Sequence, residues 1–186
     1  MRIISGKLKG RTIDFSKNNI TRPLKDSVKE SIFNILKHSS ELNIKVEKSN
    51  VLDLYSGFGS FGLECISRGA NKVTFVEQDG KVSKVLINNL IKMSVIKDAL
   101  VINSSIEHFL DIKTKNKFDI FFFDPPYSDK EYTNIIKRIR VEKIYSKEHI
   151  AIIHREKDSI DDIQNFFEPI IIKRYGKSKI LFGKFI

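Results

Sequence analysis

Cysteine is almost absent: Cys65 stands alone in 186 residues, which excludes an internal disulfide and any zinc site built from several thiolates. It reads as a small buried apolar residue. Tryptophan is missing altogether, and the only four histidines (His38, His108, His149 and His154) lie far apart without ligand spacing. They are assigned neither metal nor catalysis, and His154, at the end of an apolar run, reads as a satisfied polar residue. No apolar run approaches the eighteen or so residues needed to cross a bilayer. The N-terminus, MRIISGKLKG, lacks the apolar block of a signal peptide, so a cytoplasmic location is expected. Low-complexity segments and internal repeats are lacking too. Acidic residues are scarce at the two ends: residues 1–25 carry Arg2, Lys7, Lys9, Arg11, Lys17, Arg22 and Lys25 against Asp14, a net +6. Residues 170–186 add +5 without an acid, which leaves −1 for everything between out of a total of +10. Basic ends on a near-neutral body suit a polyanion such as nucleic acid.

What is present is a regular alternation of strand and helix patterns. Residues 1–16 alternate weakly around Gly6 and Gly10 and predict a hairpin. After Thr21-Arg22-Pro23, apolar residues at helical spacing predict a helix to about His38, with Ser27 and Glu30 spaced as a capping box. Strands are predicted at 51–55, 72–77, 99–102, 118–123, 149–154, 170–175 and 179–185. Helices are expected up to Arg68, at about 81–93, near 106–110, at about 129–139 and at about 159–167. The runs VLDL, FDIFFF and HIAII lack alternation and therefore read as buried on both faces, which implies a doubly wound, mostly parallel sheet. The last two strands flank the tight turn YGKS and should form an antiparallel hairpin on it. Phe33, Phe61, Phe118, Phe121 and Phe122 read as core. The organisation expected is residues 1–44 as an N-terminal hairpin and helix packed on a main domain of residues 45–186.

In such sheets ligands bind beyond the carboxyl ends of the strands, where strand order reverses. Three motifs fall there. VLDLYSGFGSFG places Gly57-x-Gly59-x-x-Gly62 between a strand and a helix, so that backbone N–H groups can approach a ligand closely. A dinucleotide is one candidate, but Asp53, four residues before Gly57, would repel its pyrophosphate and attract a cationic group. S-adenosylmethionine, with a sulfonium and an α-amino group and no phosphate, satisfies both conditions. Glu77, closing the next strand, suits the two ribose hydroxyls of an adenosine. Asn103, Ser104 and Ser105 follow the third strand and could meet an adenine edge. The third motif is Asp124-Pro125-Pro126-Tyr127, directly after FDIFFF. Two prolines hold the chain extended and offer no N–H, so the expected site is a cluster of outward carbonyls and a carboxylate. Acceptors of this kind suit an exocyclic amine, whose nitrogen gains positive charge in the transition state. Tyr127 can stack on the base.

Taken together, MRIISGKLKGR, TRPLKDSVKESIFNIL, VLDLYSGFGSFGLECISRGA, VTFVEQD and FDIFFFDPPY resemble the RsmD family of class I methyltransferases, which modify guanine N2 in 16S ribosomal RNA. The resemblance covers essentially the whole chain, whereas DPPY alone is shared with DNA amino-methylases and with glutamine methylases. It implies a Rossmann-like, seven-stranded sheet and S-adenosylmethionine as cofactor, with Asp53, Ser56, Gly57, Gly59, Glu77, Ser105 and Asp124 at the cofactor. It further implies Asp124, Pro125 and Tyr127 at the target guanine, and RNA contacts from Arg2, Lys7, Lys9, Arg11, Arg22 and Lys25. The implied partner is 16S rRNA, in the small subunit or an assembly intermediate, met by a monomer without metal or membrane. Phe58 departs from the small hydroxyl residue usual between these glycines, and Ser105 stands where an Asp often holds the adenine amine. Alternatives are a DNA or protein-glutamine methyltransferase, or a non-catalytic RNA-binding assembly protein on the same scaffold.

Overall fold

The fold was established from a computed structural model, which describes residues 1–15, 24–112, 114 and 116–186. Seven strands, β1 (Asn50–Leu54), β2 (Lys72–Glu77), β3 (Ala99–Asn103), β4 (Phe118–Phe123), β5 (Tyr145–Glu156), β6 (Phe167–Tyr175) and β7 (Ser178–Phe185), form one sheet in the order β3-β2-β1-β4-β5-β7-β6. The first five are mutually parallel, and β7 runs antiparallel between β5 and β6. Strand order reverses between β1 and β4, and this opens a crevice at their carboxyl ends.

Side-chain alternation gives each strand two buried faces. Val51, Val73, Ile120, Phe122, Ile150 and Ile152 point to one side, where α1 (Asp26–His38), α2 (Ser60–Ser67) and α3 (Gly80–Lys92) cover them. Leu52, Phe121, Phe123, Ala151 and Ile153 point to the other side, under α4 (Ile106–Asp111) and α5 (Tyr132–Glu142). On the first side Phe61 stacks on Phe122 with ring centroids 4.1 Å apart, and Phe33 stacks on Phe61 at 5.2 Å. The five phenylalanines assigned to the core are all buried, as is Cys65.

Four local expectations are sharpened or changed. The N-terminal hairpin is short, with one antiparallel bridge, Arg2 with Thr12, and Ile3, Gly10 and Ile13 N–H groups donating across its arms. The segment is also held by α2: the Glu64 carboxylate accepts the Ile4 and Ser5 N–H groups at 2.7 and 3.0 Å, and Leu8 N–H donates to the Ser67 hydroxyl. Gly6, at φ +81°, lies so close to the Ser67 carbonyl that an added Cβ would sit 1.9 Å from its oxygen. The capping box is not formed, because α1 begins at Asp26 and its N-cap, Lys25, makes no side-chain cap bond; the acid in the first turn complements the helix dipole instead. The helix α5 starts at Tyr132 rather than near 129, since the preceding residues are held in turns, with Asp129 accepting the Glu131 N–H. Lastly, the helix expected at 159–167 is absent. Asp161 there accepts from Ser159 within its own segment and from Arg155 and Lys179, and Pro169 biases Glu168 away from helical φ/ψ into β6. Lys17 and Thr21-Arg22-Pro23 lie outside the described residues.

Candidate active site

The loop after β1 turns through three left-handed residues, Tyr55 (φ +58°), Gly57 (φ +55°) and Gly59 (φ +83°). Tyr55 is the costly one, since a side chain disfavours that region. Two of the glycines are also required by space. A Cβ on Gly59 would meet Leu86 at 2.4 Å, and one on Gly62 would meet the Phe75 ring at 2.2 Å and Asp53 Oδ2 at 2.9 Å. Acids fasten the loop at both ends: Gly57 N–H donates to Glu77 Oε2 at 2.8 Å, and Gly62 N–H donates to Asp53 Oδ2 at 2.9 Å. Glu77 also accepts the Asp79 N–H at 2.9 Å. A carboxylate has about four acceptor positions, so these two bonds leave Glu77 capacity for hydroxyl groups.

Asp53 is 1% exposed. Burial pushes its carboxyl well above the ordinary carboxylate range against the pull of the Gly62 N–H, and the negative charges of Asp124 and Glu77 push it further the same way. Asp53 and Asp124 line one cleft together with Ser56, Gly57, Phe58 and Phe122 among others, and Glu77 stands close enough for its charge to act on Asp53. The Ser56 hydroxyl is buried in its wall with no hydrogen-bond partner. Clustered acids, an orphaned hydroxyl and a cramped glycine loop together fit a ligand with a cationic amino-acid end, S-adenosylmethionine included. A pyrophosphate they would repel. Phe58 is buried and meets Phe15 edge-on, so it packs as a wall and offers the ligand no hydrogen bond.

Register explains how β4 delivers Asp124. Phe122 of β4 lies beside Asp53 of β1 and beside Ile152 of β5. Two residues on, Asp124 points to the same face, next to His154. The imidazole Nδ1 is 2.8 Å from Asp124 Oδ1. The next β5 residue, Arg155, points to the opposite face and is 3% exposed. Its guanidinium donates to the Pro126 and Tyr127 carbonyls at 3.1 and 3.3 Å and to Asp161 at 3.1 Å, and lies 4.3 Å over the Tyr132 ring. Asp129 N–H also donates to the Pro126 carbonyl. The expected cluster of outward carbonyls is therefore corrected, because Arg155 turns those of Pro126 and Tyr127 inward and occupies them. Pro125 is buried, Tyr127 is half-buried, and the Asp124 side chain is the acceptor that reaches the cleft.

Ser105 caps α4, accepting the His108 N–H at 3.2 Å, and Asn103 donates to the Glu77 and Gln78 carbonyls. The side chains of Asn103, Ser104 and Ser105 thus all bond the backbone. Arg2, Lys7, Lys9, Arg11 and Lys25 are all exposed. Lys7 pairs with Asp98 at 3.0 Å, Arg11 donates to the Lys92 carbonyl, and Arg2 lies 3.8 Å from Asp26. Arg22 lies outside the described residues.

Sequence reasoning missed three groups that shape this region. Lys29 is fully buried and donates to the Arg2 carbonyl at 2.7 Å and to Ser60 at 3.3 Å, with Glu64 at 3.8 Å; burial lowers its pKa despite the neighbouring acids. The signal was a lysine on the same helical stripe as Phe33 and Leu36. Glu64 sits in an α2 with no exposed face. The third is the pair His154 and Arg155, polar residues continuing an apolar strand.

A family model described as "Conserved hypothetical protein 95" matches residues 1–184. The chain is 33% identical over 156 residues to the Ribosomal RNA small subunit methyltransferase D of Buchnera aphidicola (subsp. Acyrthosiphon pisum), covering 83% of this chain and 78% of that one. It is 36% identical over 129 residues to the protein of the same name in Haemophilus influenzae, covering 68% and 64%. The chain belongs to the RsmD family. Among solved structures, the Escherichia coli protein yhhF superposes with a TM-score of 0.83 at 27% identity, covering 98% of this chain and 96% of that one. The RsmD-family fold is that of the class I methyltransferases. Among the described residues no helix is long and apolar enough to cross a membrane, and no cluster of potential metal ligands occurs.

Proposed function

We propose that this RsmD-family chain transfers a methyl group from S-adenosylmethionine to the exocyclic N2 of a guanine in 16S ribosomal RNA. The observation that carries the reading is the convergence of Asp53 and Asp124, from two neighbouring strands, on one face of the sheet and one cleft. Asp53, Ser56, Gly57 and Gly59 hold the methionine end, Glu77 the ribose and Ser105 the adenine edge. Asp124 accepts a hydrogen from the amine, beside Pro125, and Tyr127 stacks on the guanine. When bound, the cofactor would supply a methyl group on a cationic sulfur: the N2–C bond would form as the S–C bond breaks, the bonding pair would leave with the neutral thioether, and the proton lost from the positively charged N2 would pass to solvent. Asp124 stabilises that charge and fixes the nitrogen in line, so its contribution is alignment and electrostatics. Since a paired or stacked amine is out of reach, the base must be turned out into the cleft. The exposed basic residues Arg2, Lys7, Lys9, Arg11 and Lys25, with Arg22, would hold RNA phosphates without reading sequence. The names of the relatives support a ribosomal RNA substrate.

The test supplies tritiated S-adenosylmethionine to the protein with small ribosomal subunits from a strain lacking the corresponding methyltransferase. Label recovered as N2-methylguanosine is expected from the wild type. The variant Asp124→Ala should lose transfer while calorimetry still registers cofactor. Label absent from RNA, or found in DNA or in glutamine, overturns the substrate; undiminished transfer by Asp124→Ala overturns the role of Asp124.

A further inference from the structure

Asp124 reaches the cleft on a stiff chain, but its carboxylate still rotates about two side-chain bonds. Only one orientation directs an oxygen lone pair at a bound amine. Something must fix it, and β5 supplies the group. The register Phe122 with Ile152 and Phe123 with Ile153 continues by one step to Asp124 with His154. The contact is short, 2.8 Å between Nδ1 and Oδ1, and nine-tenths buried on the histidine side. The same imidazole meets Tyr127 edge-on, with ring centroids 6.1 Å apart at 77°. One ring therefore touches both side chains to which the proposed function gives the guanine.

The other ring nitrogen decides the proton's place. His154 Nε2 is buried and has no hydrogen-bond partner among the described residues. A proton there would be a buried donor with nothing to receive it, which is unfavourable. A proton on Nδ1 has the Asp124 carboxylate as its acceptor. A carboxylate and an unprotonated Nδ1 would set two acceptors against each other.

We propose that His154 is a positioning residue for methyl transfer: it donates Nδ1–H to Asp124 Oδ1, locks the carboxylate plane and leaves Oδ2 for the substrate amine. This deepens the proposed function and rests on it for the identity of the amine; the hydrogen bond and tautomer stand apart from it. Residues that orient a functional group through one hydrogen bond are commonly worth ten- to a hundredfold in activity, about the scale seen for partners of metal ligands. Because His154 does not touch the methionine end of the cleft, its loss should fall on turnover and spare cofactor affinity.

Two measurements on the full-length protein separate this inference from the reading beneath it. Long-range ¹⁵N–¹H spectra should show neutral His154 as the Nδ1–H tautomer, and Asp124→Ala should abolish that preference. An Nε2–H tautomer overturns the inference whatever the substrate proves to be. In the subunit assay, His154→Ala should lower kcat roughly ten- to a hundredfold with the dissociation constant for S-adenosylmethionine and the melting temperature near wild type. His154→Asn, whose amide N–H can take the place of Nδ1–H, should recover most of that loss. Wild-type turnover in His154→Ala, or an Asn variant as slow as the Ala variant, overturns positioning through Nδ1. If the wild type transfers no methyl to any guanine, the proposed function falls while the tautomer result still decides the inference.

Discussion

Arg155 is the residue whose removal should be felt most widely, and the structure allows the cost to be worked out. Its guanidinium makes a buried ion pair with Asp161, with both side chains 4% exposed, and two further bonds to the Pro126 and Tyr127 carbonyls. Replacing Arg155 by Met keeps much of the packing under Tyr132 and removes every donor. Breaking a buried pair from one side costs about 3–5 kcal/mol, most of it from the charge left behind. Asp161 keeps Lys179 at 3.0 Å and the Ser159 hydroxyl at 2.8 Å, so the lower end, about 3 kcal/mol, is expected. For a chain of this length each kcal/mol moves the midpoint by about 2–4 °C, so Arg155→Met should melt roughly 6–12 °C below wild type. In urea the midpoint should fall with the slope m unchanged, the mark of lost stability without a change in surface exposed. Arg155→Lys should recover only part, because an ammonium cannot reach two carbonyls and a carboxylate as a planar fork does. The loss should also be local. The carbonyls held by Arg155 belong to the segment presenting Tyr127, whereas Asp53, Ser56 and the glycine loop are fixed by their own bonds. Methyl transfer should therefore fall further than cofactor affinity. A midpoint within about 2 °C of wild type would refute the brace, as would equal losses in affinity and turnover.

Two further predictions concern the cofactor end of the cleft. Asp53 has a folded-state pKa raised well above 3.8 by burial, then by Asp124 and Glu77, against the Gly62 N–H, so the native state binds more protons than the unfolded one and this group's contribution to stability falls as pH climbs past 3.8. A cation beside it restores the carboxylate, so S-adenosylmethionine binding should release a proton and tighten with rising pH through that window; calorimetry in buffers of different ionisation enthalpy measures the release, which Asp53→Asn should abolish while weakening binding. Gly62→Ala puts a Cβ into the Phe75 ring and against Asp53, which should cost about 1–3 kcal/mol in urea denaturation and also weaken cofactor binding; wild-type stability would refute the close approach.

How much of this was legible in the sequence depended on whether a residue's role was set by its neighbours in the chain. The strands β2 and β4 were predicted to the residue, because KVTFVE and FDIFFF are apolar runs between clear breaks. The glycine loop was legible for the same reason: its spacing is local, and Gly59 and Gly62 are required by Leu86 and Phe75 behind them. The N-terminal hairpin was legible as two paired arms, Ile3, Gly10 and Ile13 donating across it, but not its anchorage, because Ile4, Ser5 and Leu8 donate to Glu64 and Ser67, about sixty residues away in sequence. A helix was expected at 159–167, but Asp161 is tied to Arg155 of β5 and to Lys179 of β7, eighteen residues on, so the segment follows the sheet edge and not a helical period. His154 was set aside as a satisfied polar residue for a related reason. Its partner, Asp124, lies thirty residues earlier and becomes a neighbour only once β4 and β5 are in register.

That register is what makes the DPPY segment a device rather than a turn. Successive residues of a strand face opposite sides of the sheet, so His154 and Arg155 act on the same four residues from two directions: His154 on the side chain of Asp124, Arg155 on the carbonyls of Pro126 and Tyr127. The two prolines account for why both are needed. Lacking N–H groups, Pro125 and Pro126 cannot join the ladder that fixes β4, so the segment leaves the sheet with its backbone unsupported. Arg155 replaces the missing ladder bonds with bonds from a side chain, and this consumes carbonyls that would otherwise compete for a donor in the cleft. From this segment the Asp124 carboxylate is then presented there, with one oxygen already taken by His154. A slip of β5 by one residue would send the imidazole and the guanidinium to each other's faces and disconnect both. The antiparallel pairing of β5 with β7, which runs from Ala151 with Gly183 to Glu156 with Ser178, guards against that slip: it fixes β5 over its last six residues, where His154 and Arg155 lie.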